Sequence, residues 1–95
     1  MGQGRVTVVA TVFIPPLLRD LTAGQNRVDV PGDTIRAVIA ELDRRYPGIG
    51  GRLTEDGRLR PGMSLVVDNA VSRAGMRQRV SATSEVHFLP SMSGG

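Results

Sequence analysis

Apolar residues alternate with polar ones from Arg5 to Ile14, with Val6, Val8, Ala10, Val12 and Ile14 on one side and Arg5, Thr7 and Thr11 on the other. A period of two predicts a strand with one buried face. Pro15-Pro16 ends it, because proline cannot donate to a strand ladder. Leu17, Leu18 and Leu21 are then expected to tuck under the sheet edge. Ala23-Gly24-Gln25 reads as a turn, and Arg27 to Val30 as a second strand forming a hairpin with the first. From Ile35 the period changes. Ile35, Val38, Ile39, Leu42 and Tyr46 form one helical stripe, with Asp33 or Thr34 placed to cap its free amides. Glu41 and Arg45 stand four apart in the favourable order on the outer side. Pro47-Gly48 stops the helix, since the residue before proline avoids helical geometry.

Beyond the helix the pattern weakens. Gly48, Gly50 and Gly51 lack the Gly-Lys-Ser/Thr ending of a phosphate loop and follow a helix instead of a strand, so they read as a turn. Glu55-Asp56-Gly57 is a second turn between Leu53 and Leu59. Met63 to Val67 reads as a strand, with Asp68-Asn69 turning toward Val71. Residues 72–82 are irregular, with Met76 and Val80 as anchors into the core. Glu85 to Leu89 is the last strand. The order matches an α+β fold in which a mixed sheet is crossed by one main helix and the last strand lies parallel beside the first. In that arrangement Val86 and Phe88 face the helix, while His87 and Leu89 face away.

Composition narrows the chemistry. The 95 residues suffice for one domain, expected over residues 1–90 with a flexible tail at 91–95. With two phenylalanines, one tyrosine and no tryptophan, the core must be aliphatic. Absence of cysteine removes disulfides, thiol catalysis and thiolate metal sites, and His87 as the one imidazole leaves little for a metal site or a serine–histidine triad. No catalytic residue, metal or bound cofactor is expected. No apolar run is long enough to span a membrane and no signal layout opens the chain, so a cytoplasmic protein is the simplest expectation.

All twelve basic residues are arginine, giving a net charge of +3. Codon preference explains that usage most simply. It also means that this chain offers no lysine for an isopeptide bond and none to attack an activated carboxyl group. The charge suggests mild steering toward an acidic partner. The arginines are scattered without interleaved aromatics, which argues against nucleic acid. Arg77 and Arg79 form the densest pair and read as a solvated face.

The last residues, Pro90-Ser91-Met92-Ser93-Gly94-Gly95, follow the strand directly. Two glycines make a side-chain-free arm that fits a narrow channel, and the group such an arm delivers is its terminal carboxylate. This tail, together with Ile14-Pro15-Pro16-Leu17-Leu18-Arg19 and Gly32-Asp33-Thr34 before the helix, resembles the sulfur-carrier proteins of the ThiS and MoaD type. Those are β-grasp, ubiquitin-like proteins, and the likeness leans toward their CysO branch. One departure is Ala82-Thr83-Ser84, where the family often has a Gly-Asp turn.

The resemblance implies a protein cosubstrate and not an enzyme. A ubiquitin-activating-type adenylating enzyme would use ATP to activate the Gly95 carboxylate, which becomes a thiocarboxylate. A sulfur-accepting biosynthetic enzyme would then take the sulfur, for cysteine or a thio-metabolite or cofactor. Gly94, Ser93, Met92, Ser91 and Pro90 would thread the tail, and Leu89 and Phe88 would meet the partner; the free protein would be a monomer. Other uses of the same tail stay open: a protein modifier joined to target lysines, the small subunit of a molybdopterin-synthase-type complex, or a β-grasp binding module whose Gly-Gly is accidental.

Overall fold

The computed structural model describes residues 8–90. Strand β1 (Val9–Phe13) pairs antiparallel with β2 (Arg27–Pro31), with Ala10 opposite Val30 and Val12 opposite Val28. The alternation read from the sequence decides which face is buried: Ala10, Val12, Val28 and Val30 all enter the core. The expected start of the strand at Arg5, with Val6 and Thr7, lies outside the described residues. Between the strands runs a 3-10 helix over Pro16–Thr22. Its period of three puts Leu18 and Leu21 on the inner side and turns Leu17 outward. Leu17 is therefore 74% exposed, not tucked under the sheet edge as expected.

Helix α1 (Ile35–Arg45) crosses the sheet, burying Ile35, Val38, Ile39 and Leu42. Thr34 supplies the cap, its hydroxyl accepting from the Ala37 amide at 3.2 Å. On the outer side Glu41 accepts from both Arg44 and Arg45. Hydrogen bonds from Arg44 and then Arg45 hold its carboxyl down at about 2. A carboxyl depressed in the folded state stabilises the fold above its unfolded value and loses that contribution as the pH falls through its folded value. Melting temperature is therefore expected to decline between pH 4.5 and 2, and Glu41→Gln to flatten that part of the acid limb. An acid limb identical in both proteins would rule this out.

The glycine-rich stretch read as a turn is a helix, α2 (Ile49–Leu53). Gly48 begins it with φ of 103°, a conformation that side chains resist. The Asp43 carboxylate reaches over from α1 to accept from the Gly48 and Gly50 amides at 3.2 and 2.9 Å. A Cβ at Gly50 would fall 2.9 Å from that same oxygen. Ile49 and Leu53, four apart, fill the core beneath. The capping group comes from the preceding helix, so the local sequence does not display it.

Two short hairpins follow. Strands β3 (Thr54–Glu55) and β4 (Arg58–Leu59) enclose Asp56-Gly57, and β5 (Met63–Val67) and β6 (Ala70–Val71) enclose Asp68-Asn69. Both turn pairs have positive φ, which suits the twist of a two-residue hairpin. The last strand, β7 (Glu85–Pro90), enters between β1 and β5 to complete the order β2-β1-β7-β5-β6. It is parallel to β1 and antiparallel to β5. This is the expected β-grasp arrangement, enlarged by α2 and the β3–β4 hairpin. At the Ala82-Thr83-Ser84 departure, Asp68 of the neighbouring turn supplies a carboxylate. It accepts from the buried Ser84 hydroxyl and the Glu85 amide, each at 2.9 Å, and so fixes where β7 begins.

Candidate functional site

The tail leaves the domain at the end of β7, and the register of that strand builds the surface around its root. Pairing with β1 reaches only Phe13 opposite His87, because β1 gives way to Pro15-Pro16. On the other side β5 continues to pair, with Ser64 opposite Leu89 and Met63 opposite Pro90. Leu89 thus projects past the end of β1 and is 47% exposed. Next to it lies a groove of about 360 Å³ bordered by Phe13, Pro15, Pro16, Arg19, His87 and Leu89. Arg19 is oriented there by a bond from its Nε to the Ile14 carbonyl oxygen at 3.1 Å.

Side-chain parity separates core from surface along the strand. Val86 and Phe88 are buried beneath α1, at 0% and 1% exposure. Phe88, expected at a partner surface, is therefore a core residue: alternation along a strand sends it to the face opposite Leu89, and its contribution is to hold β7 in the sheet. His87 lies on the outer face, half-buried, with its ring stacked on Phe13 at 4.2 Å and 4° between planes. His87 faces away from the helix as expected, and a flat aromatic neighbour across the parallel pair covers one side of its ring. Pro90 is the last strand residue. Ser91, Met92, Ser93, Gly94 and Gly95 lie outside the described residues.

Sequence reasoning missed Phe13, Pro16 and Arg19 as neighbours of the tail root. The signal was available in combination only: once β7 is set parallel to β1, the outward parity of Phe13 matches that of His87 and Leu89. Exposed Leu89 and the adjoining proline-walled groove form a surface that a partner protein can cover. Leu89→Asp is expected to weaken binding of a partner protein that covers this surface at least about tenfold, within the range of an apolar hot spot. The melting temperature should stay nearly unchanged. Equal affinity of variant and parent in a calorimetric titration would remove Leu89 from the interface.

Among the described residues no group of three or more His, Cys, Asp and Glu side chains is arranged to hold a metal ion. No described helix is long and apolar enough to cross a membrane. The site provides a rigid strand, an exposed apolar rim and an attached tail.

Comparison with known proteins accords with this geometry. The ThiS family model matches residues 12–95. Sulfur carrier protein CysO of Mycobacterium tuberculosis (strain ATCC 25618 / H37Rv) is 36% identical over 90 residues, covering 90% of this chain and 97% of that protein. A crystal structure of Mycobacterium tuberculosis CysO superimposes with a TM-score of 0.81 at 34% identity, covering 87% of this chain and 99% of the other. A chain of the Amycolatopsis orientalis BexX/CysO complex gives a TM-score of 0.83 at 30% identity, covering 90% and 99%. Such proteins are carriers on which enzymes act, not enzymes, and this chain stands with them. A match across almost the whole sequence, with the same β-grasp fold, places the chain in the ThiS family.

Proposed function

We propose that this chain is a sulfur carrier that holds sulfur as a thiocarboxylate on Gly95. The observation that carries the reading is the family match through residue 95 on a fold whose last strand is locked at the sheet centre. A carboxylate is a poor electrophile because its charge is delocalised and oxide is a bad leaving group. In the proposed sequence a Gly95 oxygen attacks the α-phosphorus of ATP and pyrophosphate leaves. Sulfide then attacks the carbonyl carbon of the acyl-adenylate, the carbon–oxygen bond to AMP breaks, and a thiocarboxylate remains. Its sulfur displaces a leaving group from an electrophilic substrate on a second enzyme, and water then cleaves the resulting thioester, returning the Gly95 carboxylate and freeing the thiol product, in cysteine biosynthesis or the assembly of a thio-metabolite or cofactor.

The chain supplies no acid, base or metal in this scheme. The domain docks through Leu89 and the neighbouring groove, while residues 91–95 reach into the active site, spanning at most about 17 Å when extended. Gly94 leaves a channel free of a β-carbon beside the reacting carbon. CysO in complex with BexX supports a partner that receives the whole domain. The cytoplasm, where ATP and reduced sulfur are both present, is the proposed location.

Intact mass of the protein, before and after incubation with ATP, an activating enzyme of this family and sulfide, tests the reading. Exchange of one oxygen for sulfur, mapped to Gly95, is the expected outcome. An unchanged mass across several such activating enzymes would leave a β-grasp binding module.

A further inference from the structure

The arginines that look scattered along the sequence are gathered by the fold. Segment 72–80 folds back on the start of α1: the Ile35 amide donates to the Gln78 carbonyl at 2.9 Å and the Val80 amide to the Asp33 carbonyl at 3.1 Å. Beside this contact are two adjoining clefts that share Arg36, Met76 and Arg77. One, of about 350 Å³, adds Arg58 and Arg73; the other, of about 390 Å³, adds Arg79. All five arginines are exposed.

Arg44 and Arg45 share the single Glu41 carboxylate, and Arg60 pairs with Glu55. Arg19, Arg27 and Arg52 form no ion pair among the described residues and stand apart from one another along the chain. In the clefts Arg79 has Asp33 at 3.8 Å, whereas Arg36, Arg58, Arg73 and Arg77 form no ion pair among the described residues. Glu55 and Asp56 border an adjoining cleft that shares Arg58 and Leu59. The floor is apolar, formed by half-buried Met76 and Leu59. No aromatic ring lines either cleft, so nothing is present to stack a base.

Position adds a further point. Pro31, just before α1, pairs with Val9 at the start of β1, whereas the tail root adjoins Phe13 at its other end. The Arg36 and Arg79 side of the clefts thus lies toward the end of β1 opposite the tail root. We propose that the arginine clefts form a second docking surface for an acidic segment of a partner protein, one carrying an apolar side chain between its carboxylates. Carboxylates would meet Arg36, Arg73 and Arg77, and the apolar group would cover Met76 and Leu59. This interaction is separate from the chemistry of the tail, and a chain lacking Gly94 and Gly95 is expected to bind equally well.

The test is a titration of the isotope-labelled full chain with the blocked peptide Glu-Glu-Leu-Glu-Glu, followed by NMR of backbone amides and arginine side chains at low salt. Saturable shifts at Arg36, Arg73, Met76 and Arg77 are expected, fading as salt is raised. Arg73→Gln with Arg77→Gln should weaken binding about five- to tenfold while leaving the melting temperature unchanged. Replacing the central leucine of the peptide by serine should weaken it further. Shifts spread equally over Arg27, Arg44 and Arg52, or no shifts at all, would overturn the proposal. So would tighter binding of a uridine oligonucleotide of equal charge, which would reassign the surface to nucleic acid.

Discussion

A chain shortened by Gly94 and Gly95 is expected to gain no sulfur at all when incubated with ATP, an activating enzyme and sulfide, while melting at the same temperature as the full chain. In the proposed scheme the loss is complete, because the reacting carbon is removed and the new terminus at Ser93 stops short of the adenylation centre. Gly94→Val tests the same idea with the carboxylate kept. A branched side chain at that position narrows the allowed backbone conformations and adds bulk where bare backbone must pass. Misplacing a reacting group by about 1 Å can cost on the order of 100-fold. Activation measured as pyrophosphate release should therefore fall about 100-fold or more in kcat/KM, equivalent to ~2.7 kcal/mol. Among the described residues the core runs from Ala10 to Phe88, and neither change removes any of these side chains, so folding should be unaffected. Undiminished sulfur loading of the shortened chain would eliminate Gly95 as the carrier site.

Phe88→Ala is expected to have the largest effect on stability. Phe88 is among the largest fully buried side chains and sits on the central strand, between β1 and β5 and beneath α1. Truncating such a residue removes its transfer free energy and leaves a cavity, costing about 3–5 kcal/mol. Against a typical total of about 5–15 kcal/mol that is a large share. The melting temperature should drop by roughly 15–30 °C for a domain of this size. Leu89→Ala, one residue along, should cost less than about 1 kcal/mol because the side chain is already half in water. Denaturant titrations of the two variants measure the contrast directly. Similar losses for both would contradict the strand parity on which the surface assignment of Leu89 rests.

That contrast shows how much of the site was legible beforehand. Alternation in β7 is enough to put Phe88 on the helix side, yet adjacency to the tail alone suggested it for a partner surface. Parity is the stronger signal, since a residue cannot serve the core and a partner in one conformation. The hairpin, the main helix and the central last strand were all readable for the same reason. Each carries its own period, turn or cap within a few residues, and burial of one apolar face permits a single arrangement. Helix α2 was not readable, because five residues with two glycines have poor intrinsic helicity and depend on the Asp43 carboxylate from another element. Leu17 is the exception, because three leucines within five residues say nothing about whether the period is three or four.

The periods, the buried faces and the tail with its resemblance to sulfur carriers are all encoded by residues close together along the chain. Which distant residues share a surface depends instead on how the folded elements meet. The parallel register of β1 and β7 stacks His87 on Phe13 and opens the groove at the tail root. The return of segment 72–80 to α1 gathers Arg36, Arg73 and Arg77 into one cleft. Neither juxtaposition has a local signature, because side chains on separate elements become neighbours only when the shared core beneath them closes.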